Sequence, residues 1–330
     1  MHKLAPTLYA NVLGELDSYA AALVTSLASD SAAAGGSAPA SDDVAVVGYL
    51  ARLDTAWKEF TEAALTVRRI CTVLDRSFAL AHPGVQPLWD AALGCVRRHV
   101  DAQPQVVARA VTGLLALIHR ERAGEAVNRA LLRNLLRMLC SLGLYGSAFE
   151  RLFLQETGVF YAAESAQLAA SLDVQSYLRH ADARLQEEGE RAGAYLDPGT
   201  RKALLTCCEA ALVAKHVSTL LDKGFVQLMA SSAERLGDLG RLYALAARVG
   251  ALDAVRAALG AYVREAGSKM VKDEAQDEHL VSRLLEFKAA LDAVHRVAFC
   301  GNEQFGHTMK DAFEVRRMAP LPCCVRRPSS

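Results

Sequence analysis

Apolar side chains recur every three or four positions along most of this chain, and this spacing limits the folds that are open to it. The first predicted helix, 5–29, shows the pattern clearly. Its periodic positions are Leu8, Val12, Leu16, Tyr19 and Leu23. No stretch shows the strict alternation of apolar and polar residues that is typical of strands. The pattern therefore predicts an all-α fold, and the low content of proline (9) and glycine (22) favours the same fold.

Short breaks divide the periodic pattern into about a dozen predicted helices. These are 5–29, 43–81, 86–101, 105–122, 125–143, 147–171, 174–196, 199–230, 236–249, 251–267, 277–299 and 301–315. Gly143 is predicted to end one helix, and Asp173 is predicted to cap the start of another. The stretch SAAAGGSAPAS, 31–41, is predicted to be a flexible loop, and the tail 316–330 to be disordered. Many helices with short connections are typical of stacked bundles or of a solenoid.

Composition and motifs argue against nucleic-acid binding and against catalysis. The 37 basic residues are balanced by 37 acidic ones, so no excess of positive charge can neutralise phosphates. Phosphate-binding loops, the dinucleotide-binding glycine motif, the nucleophile elbow and H-E-x-x-H are all absent from the sequence. The eight cysteines form no C-x-x-C pair, and the carboxylates in HRERAGEAVNR and ARLQEEGERAG are interpreted as solvated helix faces. We therefore predict no catalytic residue, no cofactor, no metal and no enzymatic activity; an all-α enzyme would need a buried cluster of acids.

The first residues, MHKLAPTLYANVLGELDSY, contain no apolar core of the kind found in signal peptides. No uncharged apolar run reaches the roughly 20 residues that cross a bilayer. Scattered cysteines without paired spacing are typical of reduced thiols inside the cell. We therefore expect a soluble intracellular protein that does not act at a membrane.

Two aromatic stretches could carry a function or could be plain core. In LWDAALGCVRRHV, 88–100, Trp89, Leu93 and Val96 fall on one stripe of a short helix. A tryptophan in that setting is a frequent anchor for a protein partner and equally often a core residue, so periodicity leaves both interpretations open. In FLQETGVFYAAES, Phe153 and Phe160 share a face and Tyr161 lies about 100° away. This spacing predicts core packing with at most one aromatic near the surface, and not a cofactor site.

Several stretches, taken together and in order, carry a resemblance to a known family. They are LDRSFAL, VVARAVTGLLALIHRERAGEAVNRALLRNLLRML, SAFERLFLQETGVFYAAES, YLRHADARLQEEGERAGAYLD and LGRLYALAARV. This sequence resembles the N-terminal half of the cullins, and within them most closely the cullin-4 group. The R-E-R-x-G-E turn and the L-x-E-T run with its aromatic pair are its most specific motifs. The resemblance extends over nearly the whole chain, to about Phe313.

The resemblance implies a scaffold of a multi-subunit ubiquitin ligase, present in the nucleus and the cytoplasm. Its N-terminal half would be a curved stalk of divergent five-helix repeats. Here the repeats are predicted at 1–103 (partial), 104–235 and 236–315 (partial). The implied partners are ubiquitin-ligase components and a large β-propeller adaptor similar to DNA damage-binding protein 1.

The resemblance also assigns an adaptor-binding face to the last helix of the first repeat. Its residues in this sequence are Leu88, Trp89, Ala92, Leu93, Val96 and Arg97. The matched region begins around the third helix of the first repeat and ends near the end of the third, so we expect the RING-binding half to be absent. A non-functional or dominant-negative truncated cullin therefore remains open, as does an unrelated helical-repeat tethering or adaptor protein.

Overall fold

A computed structural model describes residues 4–33, 43–229, 233–273 and 279–314. All regular structure in these ranges is helical, which confirms the all-α prediction. The α-helices are α1 (Ala5–Ala33), α2 (Asp43–Ile70), α3 (Leu88–Ala102), α4 (Pro104–Arg122), α5 (Arg129–Ser141), α6 (Arg151–Ser171), α7 (Val174–Tyr195), α8 (Thr200–Glu209), α9 (Val217–Met229), α10 (Ala233–Arg248), α11 (Leu252–Lys272), α12 (Leu280–Val297) and α13 (Glu303–Glu314). The predicted tail 316–330 and residues 34–41 of the predicted loop lie outside the described residues. Residues 31–33 belong to α1, so the loop prediction is wrong for these three positions.

Within the described ranges, three short π-helical turns interrupt the predicted pattern of helices. They cover Leu74–Ala79, Tyr145–Glu150 and Ala210–Ala214. They fall within or beside the predicted helices 43–81, 147–171 and 199–230. A π-helical turn holds about one residue more than an α-helical turn. It therefore changes the spacing of apolar residues over only a few positions, which is too short a stretch to be recognised in the sequence pattern.

The predicted ends of two helices are confirmed. Gly143 has φ 66°, a left-handed conformation that glycine adopts without strain, and it follows α5 as expected. Asp173 precedes α7, and its Oδ2 accepts a hydrogen bond of 3.3 Å from the main-chain N–H of Ser176. That hydrogen-bonded turn, with Ser176 as the largest contributor, lowers the pKa of Asp173 below its ordinary value.

The chain divides into two compact units, one of residues 1–156 and 190–201 and the other of residues 157–189 and 202–330. The two units are groups of residues that contact each other. Their boundaries do not correspond to those of the three predicted repeats, which remain a prediction. No single described helix has the length and hydropathy of a membrane span. The segments Thr200–Ala214 and Val217–Met229 meet that criterion only as a pair, and they are bent by 56°.

A buried carboxylate joins three helices in the first unit. Glu121, in the last turn of α4, is 8% exposed. Its Oε1 accepts a hydrogen bond of 2.6 Å from Nε of Arg129 in α5, and its Oε2 accepts one of 2.7 Å from the hydroxyl of Tyr195 in α7. The interpretation of HRERAGEAVNR as a purely solvated face is therefore wrong for Glu121, because donors from two other helices allow its charge to be buried.

The second unit also buries a carboxylate that accepts from a tyrosine hydroxyl. Glu188 in α7 has no exposed surface, and its Oε1 accepts a hydrogen bond of 2.5 Å from the hydroxyl of Tyr161 in α6. The solvated interpretation of ARLQEEGERAG is wrong at this position too. Phe153 and Tyr161 are buried while Phe160 is partly exposed, so the prediction of core packing with one aromatic near the surface is confirmed.

Candidate protein-interaction surface

The start of α3 is fixed by a side chain from outside the helix. Pro87 precedes the helix and provides no side-chain cap, so the first main-chain N–H groups need another acceptor. The N–H of Leu88 donates to Oδ1 of Asp75, in the π-helical turn Leu74–Ala79, at 2.8 Å. The other oxygen of Asp75 accepts from Nε of Arg68 in α2 at 3.1 Å. The first turn of α3 is therefore tied to α2 through one carboxylate.

A small hydrophobic cluster holds the same end of α3 against its neighbours. Leu74 and Phe78 of the π-helical turn pack with Leu88, and Tyr9 of α1 covers them. The rings of Tyr9 and Phe78 lie 5.6 Å apart between centroids. The hydroxyl of Tyr9 donates to the main-chain oxygen of Gln86 at 2.7 Å. Packing and hydrogen bonding thus fix the position of this end of α3.

The six residues assigned to the adaptor-binding face divide into two rows on α3. The inward row consists of Leu88, Ala92 and Val96, which are 1%, 0% and 3% exposed. The outer row consists of Trp89, Leu93 and Arg97, which are all partly exposed. Only the outer row can contact a partner without opening the fold. The inward row packs in the core and holds the helix in position.

The position of Val96 differs from the predicted stripe of Trp89, Leu93 and Val96. Val96 and Val100 line a small apolar cavity of about 30 Å³ together with residues of α1, α2 and α5. These neighbours cover α3 at Val96 and Val100 and leave Trp89, nearer the start of the helix, partly open. Helical spacing places Val96 and Trp89 on one side of the helix, but the neighbouring helices decide which of the two is covered.

Arg97 is held in place at the edge of the outer row. Its Nε donates to both carboxylate oxygens of Asp101, at 2.9 and 2.8 Å, and its Nη1 donates to the main-chain oxygen of Leu142 at 2.7 Å. Part of the guanidinium remains accessible, since the side chain is 37% exposed. A partner would therefore meet an oriented cation with little remaining conformational freedom.

On another side of α3, a carboxylate links the helix to α1. Oδ1 of Asp17 accepts from Nη2 of Arg98 at 2.9 Å and lies 3.0 Å from Nε2 of His99. Burial acts to raise the pKa of Asp17, but the hydrogen bonds from Arg98 and His99 outweigh it and lower the pKa below its ordinary value. This contact orients α3 with respect to α1 and leaves the outer row free.

Exposed apolar residues lie on the elements that contribute to the cluster at the start of α3, and the sequence patterns did not identify them as exposed. They lie just before and on α1, at the end of α2 and beside the π-helical turn, and they are Leu4, Leu8, Ile70, Val73 and Leu80, with exposed fractions of 73%, 49%, 77%, 65% and 80%. Several apolar residues on adjoining elements are typical of surfaces that bind proteins. Only the tertiary arrangement shows their exposure, because their spacing along each element resembles that of core positions.

Among the described residues, no group of three or more histidine, cysteine, aspartate or glutamate side chains could hold a metal ion. The chemistry that the first unit offers around α3 is an apolar, tryptophan-centred helix face with a fixed arginine at its edge.

Comparison of the sequence with known proteins identifies a family. Residues 1–316 match the Cullin alpha solenoid domain. Cullin-4A of Homo sapiens is 35% identical over 315 residues, which cover 95% of this chain and 40% of that protein. Cullin-4 of Dictyostelium discoideum is 31% identical over 267 residues, 81% of this chain and 33% of that protein. Cullin-3B of Arabidopsis thaliana is 30% identical over 275 residues, 81% of this chain and 37% of that protein.

The chain spans about two fifths of the length of the cullin-4A proteins that it matches. The match to the solenoid domain agrees with the all-helical architecture and argues against an unrelated helical-repeat protein. On both grounds, sequence and fold, the chain belongs to the cullin family.

Proposed function

We propose that this chain is a non-catalytic scaffold of a cullin-RING ubiquitin ligase and that it binds a substrate adaptor through the outer row of α3. The observation that carries the proposal is the partly exposed Trp89 on a helix whose start is fixed by Asp75. Membership of the cullin family, with relatives of the cullin-4 group at 31–35% identity, supports the scaffold role. The nucleus and the cytoplasm are the compartments in which such a scaffold would act.

The outer row has the properties of a binding hot spot. Large aromatic and arginine side chains dominate such sites, and truncating one typically costs about 2 kcal/mol or more of binding free energy. Trp89 and Arg97 supply both types, with Leu93 between them. Because Arg97 is already oriented by Asp101 and Leu142, it loses little side-chain entropy on binding.

The adaptor proposed here is a large β-propeller protein similar to DNA damage-binding protein 1, which would present substrate receptors. The support for this choice is the resemblance to the cullin-4 group, and the geometry of α3 is compatible with it. Other ligase components would assemble on parts of the scaffold that this chain does not span, since it covers about two fifths of its cullin-4A relatives.

Binding of the purified β-propeller adaptor to the full chain, measured by calorimetry, tests the proposal. We expect Trp89→Ala to weaken binding by about 30-fold or more, the effect of losing a hot-spot side chain. Leu93→Arg should also weaken it, since it places a new charge in the contact. The matched control is Leu285→Arg, because Leu285 is 63% exposed and lies in the second unit.

A loss of affinity counts only if the variants remain folded, so their circular dichroism and thermal melting should match those of the parent chain. No measurable binding of the parent chain at high protein concentration would contradict the adaptor contact. Equal weakening by Leu93→Arg and Leu285→Arg would also contradict the site, because a general effect of added charge would then explain the loss.

A further inference from the structure

A second recess in the first unit lies apart from the outer row of α3. It is a groove of about 850 Å³ between α4 and the chain segment formed by the π-helical turn Tyr145–Glu150 and the start of α6. We call it the α4/α6 groove. Val111 and Leu115 form its floor and are 3% and 7% exposed. None of the residues assigned to the adaptor-binding face lines it.

The two sides of the groove follow rows along the two segments. Ala108, Thr112 and Ala116 are spaced by four residues on α4 and are exposed. Ala148, Leu152 and Glu156 have the same spacing on the other side, where Leu152 is 38% exposed. Residues four apart stand above one another on a helix, so each row extends over about two turns, or roughly 12 Å.

Charged side chains line both ends of the groove, and Arg120, in the last turn of α4, is already bound by Glu125 at 2.7 Å. Asp101, at the end nearest α3, is already bound by Arg97. Glu156 lies about three helical turns beyond Leu144, which borders the α3 end. Glu156 is exposed, and its side chain makes no hydrogen bond or ion pair with any described residue. Because Asp101 and Arg120 are each paired with an opposite charge, Glu156 is the lining carboxylate that a bound partner could neutralise.

We propose that the α4/α6 groove binds an amphipathic helix of a partner protein, with apolar side chains against Val111, Leu115 and Leu152 and a lysine or arginine opposite Glu156. A helix fits because a channel between two neighbouring helical segments accepts a third along its length, with apolar anchors one turn apart. The cation follows from charge complementarity with Glu156. This site is separate from the adaptor contact at Trp89, although Asp101 follows Arg97 by one turn and places the two surfaces side by side.

A synthetic peptide and the full chain test the proposal. The probe is a fluorescein-labelled helix of about 15 residues, four turns long, with leucines along one face and two arginines in its last turn. Its counterpart carries two glutamates in place of the arginines. We expect the arginine peptide to bind saturably in fluorescence anisotropy and the glutamate peptide to bind about tenfold more weakly, the effect of one unfavourable charge contact of about 1.4 kcal/mol.

Substitutions in the groove should then distinguish peptide binding in the groove from a general effect of added charge on the protein surface. Ala116→Arg fills the groove with a long side chain and should weaken binding of the arginine peptide by about tenfold or more. Ala244→Arg is the matched control, since Ala244 is exposed in the middle of α10 in the second unit. Glu156→Lys should reverse the preference between the two peptides, and Trp89→Ala should leave both affinities unchanged.

Several results would overturn the proposal. They are a lack of saturable peptide binding, equal losses in Ala116→Arg and Ala244→Arg, or no reversal in Glu156→Lys. If sedimentation shows a dimer of the chain that Ala116→Arg disrupts, a second copy occupies the groove and the partner helix is wrong. If the chain binds the peptide but not the adaptor, the proposed adaptor contact at Trp89 is wrong and the groove proposal stands. If it binds the adaptor but not the peptide, the groove proposal is wrong.

Discussion

The main-chain N–H of Leu88 donates a hydrogen bond of 2.8 Å to Oδ1 of Asp75, which precedes it by thirteen residues. This contact replaces the local side-chain cap that α3 lacks. Because Arg68 binds the second oxygen of Asp75, a single carboxylate sets both the start of α3 and its distance from α2. The position of the proposed adaptor-binding row depends on this contact.

Removing that carboxylate should destabilise the fold and loosen the binding surface. We expect Asp75→Ala to lower the free energy of unfolding by about 1 kcal/mol, the usual effect of losing a helix cap. Asp75→Asn should lose less, since an amide oxygen can still accept from Leu88. Urea denaturation measures both values. The control is Asp90→Ala, at an exposed position in the first turn of α3, and a loss there as large as in Asp75→Ala would contradict the role of the cap.

The contact of Asp17 with Arg98 and His99 should make stability depend on acid pH. The pKa of Asp17 is lower in the folded chain than its ordinary value, so its contribution is fully present above that ordinary value of about 3.9. It is lost as the pH falls through the lower folded pKa. We expect the difference in melting temperature between the parent chain and Asp17→Asn to shrink below about pH 4. A constant difference from pH 7 to pH 3 would show that the charge of Asp17 does not contribute.

Tyr177 should make the stability of the folded chain fall as the pH rises in the alkaline range. Burial, with a contribution from Glu164, raises the pKa of Tyr177 to about 12, and its hydroxyl donates to the main-chain oxygen of Leu212 at 2.6 Å. The unfolded chain releases this proton near its ordinary pKa of about 10, while the folded chain keeps it, so stability falls between about pH 10 and pH 12. Urea midpoints across this range should fall less steeply in Tyr177→Phe. Equal slopes in the two proteins would contradict the shift.

Asp238 joins α7 and α10 in the second unit and should be sensitive to substitution. It is 2% exposed and accepts from Arg179 at 3.0 and 2.8 Å and from Arg241 at 2.6 Å. Asp238→Ala leaves the two arginines without this acceptor, but both are partly exposed and can turn to water. We therefore expect a loss of about 1–3 kcal/mol in the free energy of unfolding.

The matched control for Asp238 is Asp222→Ala, because Asp222 is exposed in the same unit and its side chain makes no hydrogen bond or ion pair with any described residue. Its unfolding free energy should change by less than about 0.5 kcal/mol, as at most surface positions. Similar losses in the two variants would mean that the pairing of Asp238 with the arginines adds no stability.

Local signals in the sequence predicted the helices well. The conformation of Gly143 and the cap at Asp173 follow from side-chain chemistry within a few residues, and both predictions are confirmed. The burial of Glu121 could not be predicted in this way, because its donor Tyr195 lies 74 residues away in the chain. The same limit applies to Leu88 and Asp75, whose contact depends on the π-helical turn between α2 and α3.

The candidate site could be predicted only in part from the sequence. Spacing placed Trp89 and Val96 on one side of a helix, but only the neighbouring helices show that Val96 is covered and Trp89 is partly open. The assignment of this helix to an adaptor came from the resemblance to cullins and stays a prediction. The α4/α6 groove had no signal at all, because Val111 and Leu115 have the same spacing as core residues.

The π-helical turn Tyr145–Glu150 is a position at which the chain can lose a residue without disturbing the helix that follows. Such a turn stores one extra residue inside a helix, so deleting the exposed Gly146 should leave an ordinary α-helical turn ahead of α6. A deletion within the uninterrupted α4 would instead rotate every later residue by about 100° and carry Leu115 out of the core. We therefore expect one-residue deletions that arise during evolution to be tolerated at this turn and eliminated from α4.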